Sequence, residues 1–109
     1  MRKKIKVTIL ISGNGSNMLA LINDMVEKDH PAEPILVISD RPDAKGLKLA
    51  KSKNIKTAIV NYKKYSGQQE FEETLKKSIS LSGAEIICLA GFMRILSPNF
   101  VNAFKNQIL

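Results

Sequence analysis

Apolar residues along the chain fall into two alternating patterns, short unbroken runs and helical spacings. The first run, residues 5–11, begins with alternating polar and apolar residues and ends on Ile9-Leu10-Ile11, which is typical of a strand covered on both faces. After a glycine-rich loop, apolar residues recur at helical spacing and predict an amphipathic helix with the inward face Met18, Leu21, Ile22 and Met25. This helix is expected to end at Asp29-His30-Pro31, because proline disfavours helix in the residue before it.

The same alternation continues through the rest of the chain. Apolar runs predict three further strands, at residues 35–38, 57–60 and 86–90. Helical spacings predict three further helices, at residues 43–53, at residues 68–81 and after Ser97-Pro98. The side chains expected to face inward from these helices are Ala44, Leu47, Ala50, Phe71, Leu75, Ile79, Phe100, Val101 and Phe104.

Proline and glycine mark two of the helix boundaries. Pro42 is expected in the first turn of the second helix, where its missing N–H and fixed φ cost nothing. Ser82-Gly83 is expected to cap the third helix at its C-terminus, since glycine readily adopts the left-handed conformation that is common there.

The order of these elements predicts an α/β fold. Strands alternate with helices through connections of a few residues, which indicates a Rossmann-like, doubly wound parallel sheet with helices on both faces. We treat residues 1–109 as a single domain. Gln107-Ile108-Leu109 has the character of the start of a fifth strand, so we expect the domain to be incomplete at its C-terminus, truncated after the fourth strand and the helix that follows it.

Composition and charge restrict the classes of function that this chain can have. Of the 109 residues, 44% are hydrophobic and 25% charged, which is typical of a globular domain, and no apolar run is long enough to span a membrane. The formal net charge is +7, but the lysines are spread along the predicted helices with few aromatic residues between them, so we expect no nucleic-acid partner. The only cysteine, Cys88, lies in an apolar run, which favours a reducing, cytoplasmic location.

The loop Ser12-Gly13-Asn14-Gly15-Ser16-Asn17 carries the first candidate chemistry. It follows the first strand, and ligands of doubly wound sheets gather outside the carboxyl ends of the strands. Gly13 and Gly15 permit positive φ and a close approach of a ligand. The amides of Gly15, Ser16 and Asn17 would open a helix whose dipole attracts an anion. The alternative is a purely structural turn in which Ser16 or Asn17 caps the helix.

The sequence of this loop favours a monophosphate over a dinucleotide. No Gly-Lys-Ser/Thr follows, which excludes a Walker loop. Gly13 and Gly15 match two positions of the dinucleotide fingerprint, but Met18 occupies the third. Asp40, at the end of the second strand, either holds a ribose hydroxyl as in NAD-dependent enzymes or is a polar turn residue. An NAD(P)-binding oxidoreductase domain therefore stays open as an alternative, as does a nucleotide-sensing module without catalysis.

A second candidate segment, residues 91–96, follows the fourth strand and opens into the same crevice. Its apolar side chains are unusual for a loop, since exposed apolar groups gain nothing from water. Either they pack beneath the next helix or they line an apolar pocket for a heterocycle. Arg94 either pairs with a ligand carboxylate or lies on the surface.

Residues 12–17 and 89–98 together closely resemble the folate-dependent phosphoribosylglycinamide formyltransferases of purine synthesis, and the resemblance extends over the whole chain. It implies transfer of a formyl group from the cosubstrate 10-formyltetrahydrofolate to the amine of glycinamide ribonucleotide, without a metal, by a monomer or homodimer. The phosphate-binding residues it implies are Gly15, Ser16 and Asn17. The residues it places along the substrate arm are Gly91, Phe92 and Met93. The residues it places at the pterin site, through backbone groups, are Met93, Arg94, Ile95 and Leu96.

Two departures from the family pattern bear on the site. The arginine with which family members often reach the glutamate tail of the folate aligns with Gln68, which leaves Lys63 or Lys64 as substitutes. The family's catalytic asparagine, histidine and aspartate would lie beyond Leu109, so we expect no catalytic residue within this chain and no turnover by it alone. The only histidine, His30, is expected in a surface turn at the opposite edge of the sheet.

Overall fold

The computed structural model describes residues 3–109 and confirms the predicted alternation of strands and helices. The strands are β1 (Ile5–Ile11), β2 (Ala32–Ser39), β3 (Lys56–Ile59) and β4 (Ile86–Leu89). The helices are α1 (Ser16–Met25), α2 (Lys45–Ser52), α3 (Gln68–Ser82) and α4 (Pro98–Ala103). A 3-10 turn (Tyr62–Lys64), which the apolar pattern does not signal, follows β3. Within residues 3–109, no helix has the length and apolar character needed to cross a membrane.

The sheet is parallel and has the strand order β3-β2-β1-β4. β1 is internal: Ile9 lies opposite Val37 of β2 on one side and Cys88 of β4 on the other. The expected start of a fifth strand is confirmed at Ile108, which forms a parallel bridge with Ile87 on the outer side of β4.

Helices cover both faces of the sheet, as the doubly wound prediction requires. Side chains alternate along β1, so that Ile9 and Ile11 face α1 and α2 while Leu10 faces α3 and α4. The helical side chains of the first core cluster include Met18, Ile22, Leu47 and Ala50. Those of the second core cluster include Phe71, Leu75, Ile79 and Phe100. All of these are side chains that the helical spacing predicted to face inward.

The start of α2 differs from the prediction. The helix begins at Lys45 after an extended Ala44, so Pro42 lies before the helix and not in its first turn. The reason is a local turn at the end of β2. There the hydroxyl of Ser39 accepts a hydrogen bond from the Arg41 amide (3.0 Å) and donates one to the Arg41 carbonyl (2.8 Å). This turn delays the entry of the chain into the helix.

Three other expectations are wrong at the ends of elements. Val101 is 45% exposed, because α4 is only six residues long and buries Phe100 alone among its side chains. α1 ends earlier than expected, at Met25, because Val26, the one apolar side chain before Pro31, is 63% exposed and does not hold another turn against the core. β2 begins earlier than expected, at Ala32, and takes in Pro34, where the register against β1 shifts and a missing N–H is tolerated.

The strand order determines where the crevice of the sheet lies. The chain runs outward from β1 through β2 to β3 and then returns to the other side of β1 as β4. The reversal therefore lies between β1 and β4, and the loops that follow these two strands leave in opposite directions. Ser12 and Ala90, the first residues after the two strands, stand at the mouth of this crevice.

Candidate functional site

The glycine loop, residues 12–17, turns directly from β1 into α1. Gly15 has a φ of 84° and immediately precedes the helix, which begins at Ser16 without a side-chain cap. The side chain of Asn14 accepts a hydrogen bond from the Ser16 amide (3.1 Å), which holds the turn. Ser16 and Asn17 expose their side chains in the first turn of the helix. The alternative in which one of them caps α1 is therefore not realised, and the amino end of α1 opens on the crevice.

A second glycine explains why Gly15 cannot carry a side chain. A methyl group placed on Gly15 would lie 2.7 Å from the Cα of Gly46, in the first turn of α2. Conversely, a methyl group on Gly46 would lie 2.6 Å from Cδ1 of Ile11. The amide of Gly46 also donates a hydrogen bond to the carbonyl of Gly13 (3.1 Å). The glycine loop is thus enclosed between the end of β1 and the amino end of α2.

A buried hydroxyl joins the glycine loop to the loop after β4. Ser12, which is 3% exposed, accepts a hydrogen bond from the amide of Met93 (2.8 Å). The amide of Ala90 donates to the carbonyl of Leu10 (2.9 Å) and extends the β1–β4 pairing to the mouth of the crevice. Gly91 takes a φ of 74° where the chain leaves the sheet. The structure therefore brings together the two segments that the sequence predicted at one crevice.

These two loops enclose a cleft of about 270 Å³. Its walls are residues 12–17 on one side, Ala90, Gly91 and Met93 on the other, and Arg41. All three residues predicted to bind phosphate line it, as do two of the three predicted along the substrate arm. The third, Phe92, packs a half-buried ring against the second core cluster instead.

The apolar loop after β4 packs beneath the next helix with only part of its apolar side chains. Phe92 and Leu96 are half-buried and pack against the second core cluster, beneath the start of α4. Met93 and Ile95 are 80% and 90% exposed. The loop is thus anchored by its first and last apolar side chains and presents the two between them to the solvent above the crevice.

An ion pair ties the end of β2 to the loop after β4. The Nε of Arg94 donates a hydrogen bond to Oδ2 of Asp40 (2.8 Å), and the guanidinium carbon lies 3.7 Å from the centre of the Tyr62 ring. Asp40 is 2% exposed, and its Oδ1 is buried without a hydrogen-bond partner. The carboxylate is therefore turned into the protein, where it offers no exposed oxygen to a ribose hydroxyl.

A second network ties the same loop to α3 through Glu72, which is 6% exposed. The carboxylate of Glu72 accepts hydrogen bonds from the amide (2.7 Å) and hydroxyl of Ser97 and from the side-chain amide of Gln68 (2.6 Å). Burial by itself raises the pKa of Glu72, but these hydrogen bonds and the charge of Lys76 outweigh it and hold the pKa below its ordinary value. The ionised carboxylate thus fixes the end of the loop at the start of α4.

Gln68 does not line the cleft. Its side-chain amide donates to the carbonyl of Ile95 (2.9 Å) as well as to Glu72. Of the two lysines considered as substitutes, Lys63 lines a neighbouring cavity of about 570 Å³, which shares Arg41 with the cleft and is also lined by Asp40 and Arg94. Lys64 is exposed. The structure therefore places Gln68 at the start of α3, bonded to the loop after β4, and Lys63 near the end of β2.

The histidine and the cysteine lie away from the cleft. His30 precedes β2 at the amino edge of the sheet, where its Nδ1 accepts a hydrogen bond from the Ala32 amide (3.0 Å). Cys88 is half-buried on β4, and burial raises the pKa of its thiol. In the part of the chain that the structure describes, no group of three or more histidine, cysteine, aspartate or glutamate side chains is placed to hold a metal ion.

Sequence reasoning missed the charged side chain of the cleft. Arg41 follows the end of β2 and lines the cleft beside the glycine loop. A signal was present, because the position lies one residue beyond Asp40, at the carboxyl edge where ligands of such sheets gather.

Comparison with known proteins identifies relatives among proteins of purine biosynthesis. A family model described as formyl transferase matches residues 5–109. The chain is 41% identical over 106 residues to the trifunctional purine biosynthetic protein adenosine-3 of Gallus gallus, an alignment that covers 97% of this chain and 11% of that protein. It is 36% identical over 104 residues to the phosphoribosylglycinamide formyltransferase of Haemophilus influenzae, covering 95% of this chain and 49% of that protein.

Solved structures give the same result at the level of the fold. The phosphoribosylglycinamide formyltransferase of Brucella melitensis superposes with a TM-score of 0.94 at 37% identity, covering 97% of this chain and 55% of that one. The enzyme of the same name from Coxiella burnetii, solved with CHES, gives 0.92 at 38% identity, covering 97% and 50%. The chain thus spans about half the length of these formyltransferases and about a tenth of the trifunctional protein. The similarities support the predicted formyltransferase and give no support to the oxidoreductase alternative.

Proposed function

This chain belongs to the formyl transferase family, and we propose that it forms the ribonucleotide-binding part of a phosphoribosylglycinamide formyltransferase. The proposed reaction transfers a formyl group from 10-formyltetrahydrofolate to the amine of glycinamide ribonucleotide in purine biosynthesis. The observation that carries the proposal is the Ser12–Met93 hydrogen bond, because it joins both family-like segments into one cleft at the point where the strand order reverses.

We assign the phosphate of the substrate to Gly15, Ser16 and Asn17. The amino end of α1 offers amides without intrahelical partners and the positive end of the helix dipole. The Ser16 amide, which donates to the exposed side chain of Asn14, exchanges that partner for the phosphate in this proposal. The cleft of about 270 Å³ is small beside the roughly 300–1,000 Å³ of ordinary ligand pockets. Its size favours a phosphoribosyl group over a dinucleotide.

We assign the glycinamide arm of the substrate to the segment that faces the phosphate loop across the cleft. Its residues are Gly91, Phe92 and Met93. Gly91 and Met93 line the cleft, and the amide of Met93 is held in place by Ser12. Phe92 supports the segment from behind, since its half-buried ring packs against the second core cluster.

We assign the border of the pterin site to backbone groups of Met93, Arg94, Ile95 and Leu96. The exposed side chains of Met93 and Ile95 offer apolar surface to a flat heterocycle. The guanidinium of Arg94 is engaged by Asp40 and Tyr62, which agrees with a contribution through its backbone.

The glutamate tail of the folate has three candidate contacts in this chain, Gln68, Lys63 and Lys64. A contact with Gln68 requires its amide to release the carbonyl of Ile95, to which it now donates. Lys63 and Lys64 carry the positive charge that the carboxylates of the tail would favour. The tail is therefore assigned either to Gln68, at the start of α3, or to the two lysines of the turn after β3.

In the proposed reaction, the amine nitrogen attacks the formyl carbon, the bond from that carbon to N10 of the folate breaks, and a proton moves from the amine to N10. The products are formylglycinamide ribonucleotide and tetrahydrofolate. Within residues 3–109 we assign no group to the proton transfer, since His30 lies at the opposite edge of the sheet. The described residues are proposed to bind and orient substrate. A cytoplasmic location is part of the same proposal, and the free thiol of Cys88 agrees with it.

Calorimetric titration of the chain with a series of ligands tests the phosphate assignment. We expect glycinamide ribonucleotide to bind more tightly than ribose 5-phosphate, since both supply the phosphate but only the former supplies the arm. Ribose without a phosphate is the matched control and is expected to give no measurable heat. Tighter binding of NAD than of ribose 5-phosphate would contradict the proposal, because it would indicate a dinucleotide-binding site.

A further inference from the structure

We propose that Arg41 binds the phosphate of the substrate together with the amides of the glycine loop and selects for that charged group. The inference rests on the proposed function, which places a phosphate ester in the cleft. Among the described residues that line the cleft, Arg41 is the only one with a charged side chain. A phosphate ester carries nearly two negative charges at neutral pH, whereas a helix terminus supplies only about half a positive charge. A cation beside the loop offsets much of the negative charge that the helix terminus does not balance.

The backbone around Arg41 holds this side chain at the cleft. Ser39, fully buried at the end of β2, bonds to both the amide and the carbonyl of Arg41 through its hydroxyl. The same carbonyl accepts a hydrogen bond from the amide of Ala44 (3.4 Å). Because β2 is hydrogen-bonded to β1, this turn stands beside the glycine loop. The root of the side chain is therefore fixed while its guanidinium stays exposed.

The guanidinium of Arg41 has a competing partner in Asp43. The distance from Nη2 of Arg41 to Oδ2 of Asp43 is 3.2 Å, and the two side chains are 57% and 69% exposed. An ion pair this exposed contributes little, because water screens both charges. A phosphate dianion carries more charge than a carboxylate and presents several oxygens to the guanidinium fork. It can therefore displace Asp43, which makes Asp43 a competitor for the same cation.

Arg94, the other arginine in residues 3–109, is not available for this task. Its Nε is bonded to the buried carboxylate of Asp40, and its guanidinium stacks on Tyr62. Releasing Arg94 would leave that carboxylate buried without a partner. Arg41 is thus the arginine that can turn toward a bound phosphate at little cost.

Binding of ribose 5-phosphate to the wild-type chain and four variants tests the inference. Arg41→Gln removes a charge-assisted hydrogen bond and is expected to weaken binding about tenfold. Arg41→Lys keeps the charge without the planar fork and is expected to weaken it about threefold. Asp43→Asn removes the competitor and is expected to tighten binding about twofold. Lys48→Gln removes an exposed charge of α2 and is the matched control.

Isothermal titration calorimetry gives the Kd values, and amide spectra establish that each variant is folded. Opposite changes in Arg41→Gln and Asp43→Asn, with Lys48→Gln equal to wild type, are the expected result. If the wild type binds ribose 5-phosphate and Arg41→Gln binds it with the same affinity, the role of Arg41 is overturned and the proposed function still stands. No binding of ribose 5-phosphate or glycinamide ribonucleotide by the wild type would overturn both.

Discussion

Two independent features of the structure require glycine at position 15, at the base of the cleft. Its φ of 84° lies in the left-handed region, which residues with a side chain disfavour. A methyl group on it would also lie 2.7 Å from the Cα of Gly46, a backbone atom that moves only with the start of α2. Gly83, at the end of α3, has the first feature alone, since its φ is 79° and nothing lies within 4 Å of a methyl group built there.

Gly15→Ala is therefore expected to lower the free energy of unfolding more than Gly83→Ala does. Gly83→Ala is the matched control and is expected to lose about 1 kcal/mol from backbone conformation alone. Gly15→Ala must also displace the start of α2, for a total loss of about 2–3 kcal/mol. Urea denaturation measures both values. Equal losses in the two variants would mean that the contact with Gly46 relaxes without cost.

Residues with local roles could be predicted from the sequence, and residues with distant partners could not. The positive φ of Gly15 follows from its place between a strand and a helix. For Arg94 the sequence suggests a ligand or the surface, whereas its partner is Asp40, because the end of β2 and the loop after β4 meet only in the folded sheet. The same holds for Arg41, whose place in the cleft depends on the pairing of β2 with β1.

At the scale of elements, Glu72 makes α3 a support for the loop after β4. Its carboxylate accepts hydrogen bonds from Ser97 and Gln68, and the Ser97 hydroxyl in turn accepts one from the Phe100 amide (3.3 Å) at the start of α4. Gln68 reaches the loop directly through the carbonyl of Ile95. The position of the proposed pterin border therefore depends on a carboxylate in its ionised form.

Acid is expected to weaken this support. Because the pKa of Glu72 is lower in the folded chain than its ordinary value, its stabilisation is fully present above the ordinary carboxyl range and is lost as pH falls toward the folded pKa. The unfolding free energy of the wild type should therefore decline between about pH 5 and pH 3. Glu72→Gln is expected to flatten part of that decline and to cost about 1–2 kcal/mol at neutral pH.

Denaturant titrations across this pH range measure the effect. Glu73→Gln, which removes an exposed carboxyl of the same helix, is the matched control and is expected to keep the wild-type slope. A Glu72→Gln variant whose stability depends on pH as steeply as the wild type would contradict the role assigned to the carboxylate.

Helices were more predictable than the loops between them. The ends of α3 follow from its apolar spacing and from Gly83, because both signals act within one turn of the helix. The loop after β4 has no period, so the sequence could not separate the anchoring Phe92 and Leu96 from the exposed Met93 and Ile95. That division is decided by packing against α3 and α4, which the local sequence does not contain.

At the scale of the whole molecule, the alternation of strands and helices was enough to predict the fold. Each β-α-β unit joins strands that are near one another in sequence, and its crossover connection is almost always right-handed. Few sheet topologies are therefore compatible with the predicted order of elements. The dimensions of the cleft could not be predicted in this way, because they depend on the ends of β1, β2 and β4 standing side by side. The proposed function then depends on the meeting of two loops, residues 12–17 and the loop after β4, at that cleft.

The most direct test is to titrate the ¹⁵N-labelled chain with glycinamide ribonucleotide and to map the changes in amide chemical shift. This shows whether the two loops bind the substrate together. We expect the largest changes at Gly15, Ser16 and Asn17, with a second set at Gly91 and Met93 across the cleft. Residues at the amino edge of the sheet, such as His30, serve as the internal control and should not shift. Saturating changes centred away from both loops, or no change at all, would contradict the proposed site.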